Sequence, residues 1–138
     1  MTVVLDTGVI VSALVNKKGS AAKILSLIFD GDINILYDNR ILFEYKEVLS
    51  KKAFSFNLDL INDIMHFIRH EGTFNEAIFN SLDYPAVKYH DEGDKKFYEV
   101  YKAGEGDYFI TGNKKHFPEE QGIVIPGEFI KIYEKHKP

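Results

Sequence analysis

Acidic residues stand at separate places along the chain in contexts that allow chemistry. Asp6 directly follows the apolar residues of the segment VVLD, and Glu44 lies beside the apolar stripe of a predicted helix. Asp94 belongs to the dense acidic segment HDEGD, and Asp107 opens the segment DYFITGN. Each carboxylate alone is as compatible with a helix cap or a solvated surface as with a site. Brought together, they would repel one another unless a cation neutralised them.

Carboxylate oxygens are the ligands that hard divalent cations prefer. A Mg²⁺ ion usually takes one or two carboxylates together with water and substrate phosphate. A cation held in this way lowers the pKa of the water it binds and stabilises a charged transition state. The acid set therefore predicts a Mg²⁺ or Mn²⁺ site that hydrolyses a phosphodiester bond.

The residues around the last acidic segment could support such a site. Thr111 has a hydroxyl that can bind a carboxylate or water, and Asn113 is a common turn residue. Two lysine doublets follow the acidic segments, Lys95–Lys96 and Lys114–Lys115. Lysine doublets are usually solvated surface, but these two are placed where they could hold the phosphates of a nucleic acid.

Periodicity and turn residues predict alternating strands and helices. Strands are predicted at 3–5, 33–37, 73–78, 108–111 and 123–125, and helices at 9–15, 20–30, 38–51, 57–70, 94–103 and 128–136. This alternation predicts an α/β three-layer sandwich with a mostly parallel central sheet flanked by helices. Ligands gather at the carboxyl ends of such strands. Asp6 and Thr111 to Asn113 lie at predicted carboxyl ends, so we expect them to lie close together.

Bulk composition narrows the class of protein. A length of 138 residues predicts one domain, 1–138, and a net charge of −4 argues against a generic nucleic-acid coat protein. The absence of cysteine excludes disulfides and fits a reducing cytoplasm. No apolar run approaches the ~20 residues that span a bilayer, and the start MTVVLDTG lacks the basic segment of a signal peptide. We expect a cytoplasmic protein without a membrane partner.

The segments occur in a recognisable order along nearly the whole chain. VVLDTG is followed by a Glu in the third helix, then by HDEGDKKF, GEGDYFITGNKKHF and IVIPGEF. This order resembles PIN domains, in particular the VapC-like toxin components of bacterial and archaeal toxin–antitoxin systems. The resemblance rests on the ordered set, since no single motif is specific. It implies a metal-dependent ribonuclease that acts on RNA, usually forms a homodimer and is restrained by an antitoxin protein.

The resemblance also implies roles for particular residues. Asp6, Glu44 and Asp94 match the three nearly constant acids that hold metal and carry catalysis, and Asn113 matches a fourth metal-binding position. The residues that match supporting positions are Thr7, Asp91, Asp107 and Thr111. The chain departs from the family at two places, with Thr7 where Asn is usual and Asn113 where Asp is usual. Because an amide brings no charge to a cation, we expect weaker metal binding at Asn113.

Two other functions remain open from the sequence. Thr7 and Asn113 are also compatible with a catalytically weak or silent PIN-like domain that binds RNA or protein. Asp6 could instead be the nucleophile of a phosphatase of the haloacid-dehalogenase type. Such phosphatases have a second acid two residues later, where this chain has Gly8.

Overall fold

The computed structural model describes residues 1–76 and 92–137, and these form alternating strands and helices. The strands are β1 (Thr2–Leu5), β2 (Asn34–Tyr37), β3 (Thr73–Phe74), β4 (Tyr108–Ile110) and β5 (Ile123–Val124). The helices are α1 (Thr7–Val15), α2 (Ser20–Phe29), α3 (Asn39–Leu49), α4 (Leu58–Glu71), α5 (Lys95–Ala103) and α6 (Pro126–His136). The predicted α/β class is confirmed.

The strands form one five-stranded sheet with the order β3-β2-β1-β4-β5, and all of its pairings are parallel. β1 lies at the centre, where Val3, Val4 and Leu5 are completely buried. Its last residue, Leu5, is paired with Ile110, the last residue of β4. The strands that carry Asp6 and Thr111 are therefore neighbours that end at the same level.

The helices that flank the sheet follow the predicted apolar periodicity. In α4 the buried residues are Ile61, Ile64, Met65 and Ile68, which recur at helical spacing on one face. α5 lies against β1, β2 and β4, and its Phe97 ring is parallel to that of Phe109 with centroids 6.1 Å apart. Five strands flanked by helices give the predicted layered sandwich.

Several element ends differ from the predicted ones. α1 begins at Thr7 rather than Val9, because Asp6 keeps extended backbone angles and the chain turns into the helix directly after it. α2 begins at Ser20, as predicted, and ends at Phe29, one residue before the predicted end. α6 begins at Pro126, two residues before the predicted start, since proline is well suited to the first turn of a helix.

The predicted third strand is confirmed at Thr73–Phe74, which form β3 and pair with β2. The described residues 75 and 76 do not belong to the strand, so the prediction is wrong there, and residues 77 and 78 lie outside the described residues. Most of the predicted irregular segment 81–93, including Asp91, also lies outside them. None of the helices in the described residues is long and apolar enough to cross a bilayer.

Candidate metal and active site

The candidate site lies at the carboxyl ends of β1 and β4. The backbone N–H of Asp6 donates to the Ile110 carbonyl at 3.0 Å, and the N–H of Thr111 donates to the Val124 carbonyl at 2.9 Å. From β1 the chain crosses to β2 on one side, while β4 and β5 lie on the other. Such a switch in strand order opens a crevice in which parallel α/β sheets bind ligands.

Asp6 is held by a neighbouring hydroxyl at this edge. The Thr111 hydroxyl donates to Asp6 Oδ2 at 2.7 Å, and Thr111 is completely buried. Burial raises the pKa of the Asp6 carboxyl, and the nearby Glu44 charge raises it further. The Thr111 hydroxyl and the backbone N–H groups of Gly8 and Thr7 offset part of this increase.

Glu44 projects towards the same edge from α3. Its side chain is about one quarter exposed, at 27%, which agrees with its predicted place beside the apolar stripe. The hydroxyl of the buried Thr7 donates to Glu44 Oε2. Lys96 Nζ lies 2.7 Å from Glu44 Oε1, donates to the Gly93 carbonyl and stands 5.0 Å from the centroid of the Phe97 ring.

A buried tyrosine fixes α3 against β1 between these two acids. The Tyr45 hydroxyl donates to the Leu5 carbonyl at 2.6 Å, one residue before Asp6. Burial raises the pKa of Tyr45 well above its ordinary value, and the charges of Asp6, Glu44 and Asp38 raise it further. The charges of three carboxylates therefore raise the pKa of one phenol, which indicates that the electrostatic potential in this region is negative.

The structure places Asp94 beside a histidine that sequence patterns did not indicate. Asp94 ends a short 3₁₀ turn (Glu92–Asp94) before α5, and its Oδ2 lies 3.6 Å from His116 Nδ1. His116 belongs to a second 3₁₀ turn, Lys114–His116, after β4. Its only sequence signal was its place just after the DYFITGN segment.

Asn113 lies on the same side as Thr111. Its backbone N–H donates to the Thr111 hydroxyl at 3.0 Å, so Thr111 links Asn113 to Asp6. The side chain of Asn113 is exposed. Its φ of −129° is not left-handed, so the turn does not use the conformation that makes asparagine common in turns.

Asp107 is not brought to this group. Asp107 precedes β4, and its Oδ2 accepts from the Thr2 N–H at 2.7 Å at the amino end of β1. A three-residue strand is about 10 Å long, which separates Asp107 from the carboxyl edge. Asp91 lies outside the described residues.

The four lysines have different surroundings. Lys96 contacts Glu44, as described above, and Lys114 Nζ lies 3.1 Å from Glu128 Oε1. Lys95 is half-buried at the start of α5, and Lys115 is exposed. Among the contacts of the described residues, Lys96 is the one lysine of these four that touches a candidate acid.

A second acidic cluster, formed by Asp38 and Glu99, lies next to the site, and the sequence patterns did not predict it. Asp38 directly follows β2 and caps α3 by accepting from the Ile41 N–H at 3.0 Å. It also lies 2.8 Å from Arg40 Nη2, and Arg40 Nη1 lies 3.1 Å from Glu99 Oε1. Asp38 and Glu99 are 2% and 1% exposed. An acid directly after a buried strand was the signal used for Asp6, and it applied equally to Asp38.

The carboxylates at the carboxyl edge of the sheet are suitable ligands for a hard divalent cation. Within residues 1–76 and 92–137, no three His, Asp or Glu side chains form a group arranged to hold a metal. Asp6 and Glu44 nevertheless repel each other in a partly buried place, and two carboxylates with water and phosphate suffice for Mg²⁺. Lys96 supplies positive charge to Glu44 in this structure.

Comparison with known proteins identifies the fold and the family of the chain. A solved structure with a similar fold is VapBC2 from Rickettsia felis bound to a DNA fragment from their promoter, with a TM-score of 0.53, 16% sequence identity, and coverage of 91% of this chain and 97% of that chain. No curated protein matches the sequence. The model of the PIN domain family matches residues 2–115, which include all the candidate acids and Asn113. Since that match covers most of the sequence, the chain belongs to the PIN domain family.

Proposed function

We propose that this chain is an endoribonuclease that depends on Mg²⁺ or Mn²⁺ and hydrolyses RNA phosphodiester bonds. Membership of the PIN domain family supports a nuclease in general. The observation that carries the finer proposal is that Asp6 and Glu44 are each oriented by a buried threonine hydroxyl at the sheet edge, where the charge of Glu44 acts on Asp6. Two repelling carboxylates beside a crevice are a place where a cation lowers the free energy.

Asp6 and Glu44 would be the main ligands of this cation. Asp94 is the third ligand of the proposal, and Asn113 assists directly or through water, more weakly than an acid would. The cation supplies an activated water and charge stabilisation at the phosphate. Asp94 lies next to His116 in this structure, so its approach to the other two acids is part of the proposal.

The surrounding residues orient these ligands. Thr111 fixes one oxygen of Asp6, and Thr7 fixes one oxygen of Glu44. The other oxygen of Glu44 contacts Lys96 in this structure, so a cation would displace that lysine. Partners of this kind restrict the orientation of metal ligands, and their loss typically costs 10- to 100-fold in affinity or activity. Thr7 therefore takes the place of the Asn usual in the family.

RNA is the proposed substrate, in single-stranded or looped form. Bases in such regions can be splayed into a cleft, whereas bases in an A-form duplex cannot. Lys95, Lys96, Lys114 and Lys115 are the proposed phosphate contacts. Lys96 is the best placed of the four because it already lies at Glu44.

The proposal extends to the partners and location of the protein. A solved structure with a similar fold is that of VapBC2 from Rickettsia felis, and we propose that this chain is the toxin of a toxin–antitoxin pair. A small antitoxin protein would then restrain it, and the active form would be a homodimer in the cytoplasm.

Cleavage of a labelled RNA oligonucleotide tests the proposed activity. The purified chain should cleave it with Mn²⁺ or Mg²⁺ and stop on addition of EDTA. Asp6→Asn should lower the rate by about 100-fold or more, beyond what loss of an orienting partner costs. Asp63→Asn, an exposed acid on α4, is the matched control and should leave the rate unchanged. A DNA oligonucleotide of the same sequence measures the preference for RNA.

Cleavage by Asp6→Asn at the full rate would show that the activity comes from elsewhere. The alternative of a silent domain predicts no cleavage. Calorimetry with Mn²⁺ separates a silent domain from an inactive preparation of a nuclease, because a silent domain should have no Mn²⁺ site that depends on Glu44 and Asp94.

A further inference from the structure

A groove between α3 and α4 has an unusual charge for this protein. Its volume is about 600 Å³, and the side chains along it include the cations Lys46 and Arg69, the imidazole of His66 and the amides Asn39 and Asn62. Among the described residues, no Asp or Glu lines it. The chain as a whole carries a net charge of −4, so the groove is a local exception to an acidic surface.

The cations of the groove are available to a ligand. Lys46, His66 and Arg69 are exposed, and none of them forms an ion pair with an acid in residues 1–76 or 92–137. The floor between them is apolar and is made by Leu42 and Met65. Cations above an apolar floor favour a ligand that is both anionic and flat-sided.

The groove continues into the candidate active site through Asn39 and Phe43. These two residues also line a second cavity of about 520 Å³, together with Arg40, Glu44, Glu47 and Lys96. The Phe43 side chain is 69% exposed, and Phe43 directly precedes the proposed ligand Glu44. A large exposed apolar ring at the entrance to a phosphodiester site is in the right place to stack on a base.

We propose that this groove is the binding tract for single-stranded RNA on one side of the cleaved bond. Phe43 stacks on a base next to the scissile phosphate, and Lys46 and Arg69 hold the phosphates that follow. From Asn62 to Arg69, α4 rises by about 10 Å, the length of about three stacked nucleotides. The inference rests on the proposed nuclease function and identifies where its substrate lies.

Other occupants fit the groove less well. A segment of an antitoxin or a second copy of this chain could cover Phe43 and Met65, because both are apolar. Neither would require cations without acids along the whole groove, whereas the phosphates of RNA do. The experiment below distinguishes these occupants.

Binding of a fluorescein-labelled 12-nucleotide single-stranded RNA, measured by anisotropy in EDTA, tests the tract without cleavage. The double variant Lys46→Gln/Arg69→Gln should weaken binding about tenfold and reduce the slope of log K against log salt by about 1.4, since each phosphate contact on a single strand contributes about 0.7. The control Lys23→Gln/Lys131→Gln removes the same charge from exposed positions on α2 and α6. It should change affinity by less than about twofold, because those helices do not line the groove.

Variants of Phe43 separate stacking from apolar contact. Phe43→Ala should weaken RNA binding at least about fivefold. If the ring stacks on a base, Phe43→Leu should recover little of the lost affinity. Full restoration by leucine would show an apolar contact and overturn the stacking role. Far-ultraviolet circular dichroism of each variant shows that the fold is kept.

The outcomes separate this proposal from the proposed function. If the wild-type chain cleaves RNA and the groove variants bind and cleave like it, the tract is elsewhere. If no cleavage occurs but binding still depends on Lys46, Arg69 and Phe43, the tract stands and the nuclease proposal fails. If the variants leave RNA binding unchanged and dissociate a dimer in sedimentation, the groove is an interface between copies and the tract proposal is wrong.

Discussion

At the scale of single residues, the candidate site depends on hydroxyls and a lysine as much as on acids. Asp6 and Glu44 each have one oxygen held by a threonine, and these threonines are 0% and 5% exposed. Their burial fixes the carboxylates more firmly than exposed side chains could, because buried polar groups must keep their hydrogen bonds. Lys96 neutralises Glu44 in this structure and would compete with a metal cation.

Removal of the Lys96 charge should therefore tighten metal binding. Because Lys96 Nζ lies 2.7 Å from Glu44 Oε1 and its side chain is 13% exposed, Lys96→Met leaves Glu44 without its counter-ion. We expect the Kd for Mn²⁺, measured by calorimetry, to fall by up to about fivefold, which is the upper range for an ion pair near the surface.

Lys95→Met is the matched control, since Lys95 is the neighbouring lysine of α5. It should change the Kd much less. Equal effects of the two variants would indicate a general change in surface charge, and weaker binding in Lys96→Met would show that this lysine does not compete with metal.

At the scale of elements, polar residues stand directly after three neighbouring strands. Asp38 follows β2, Asp6 follows β1 and Thr111 follows β4, so one edge of the sheet is polar while the strands themselves are buried. α3 is fixed against this edge by Tyr45, and α6 is fixed near the Lys114–His116 turn by Glu128. Short contacts between elements thus hold the loops that surround the site.

The contact at the start of α6 predicts a pH dependence of stability. Hydrogen bonds from the Ile125 N–H at 3.0 Å and from Lys114 lower the pKa of Glu128. A lowered pKa means that its stabilisation is present above the unfolded pKa of about 4.5 and is lost as the pH falls through the folded value. Glu128→Gln should lower the free energy of unfolding at pH 7 and have little effect near pH 2.

Urea unfolding at the two pH values measures this difference. Glu134→Gln removes an exposed acid from the same helix and serves as the control. A loss of stability that is equal at both pH values would show that packing, rather than the charge of Glu128, is responsible.

At the scale of the whole molecule, the site costs stability in the absence of a ligand. The Asp6 carboxyl has a raised pKa because the folded chain buries it next to Glu44. Below the unfolded pKa of 3.8 the group is protonated in both states and adds no cost. As the pH rises from there through the folded pKa, the unfolded chain is favoured, and above that value the full cost remains.

Asp6→Asn should consequently stabilise the metal-free protein at neutral pH. The amide oxygen can still accept from Thr111, and the uncompensated charge is removed. We expect the free energy of unfolding in EDTA to rise by about 1 kcal/mol at pH 7 and to be unchanged near pH 3. Asp63→Asn should show no such difference, and a destabilised Asp6→Asn at pH 7 would mean that its hydrogen bonds outweigh its burial.

Much of the architecture could be predicted from local sequence. Apolar runs of period two or 3.6 identify the strands and helices because side-chain burial follows the same periods. The errors lie at helix ends: α1 begins at Thr7 because Asp6 ends the strand abruptly, and α6 begins at Pro126 because proline is accommodated in a first turn. Asp107 lies apart from the candidate acids because a strand has two ends, and Asp107 precedes β4 at the end opposite the candidate site.

By itself, the sequence determined which residues carry acids, hydroxyls and lysines, and which segments form strands. Only the tertiary structure decided which of them meet, because Asp6 and Thr111 are 105 residues apart and become neighbours through the pairing of β1 with β4. The pairing of Glu44 with Thr7 and Lys96, and of Asp94 with His116, likewise depends on how helices pack on the sheet. Such contacts leave no local pattern, since the packing free energy of the whole core fixes them.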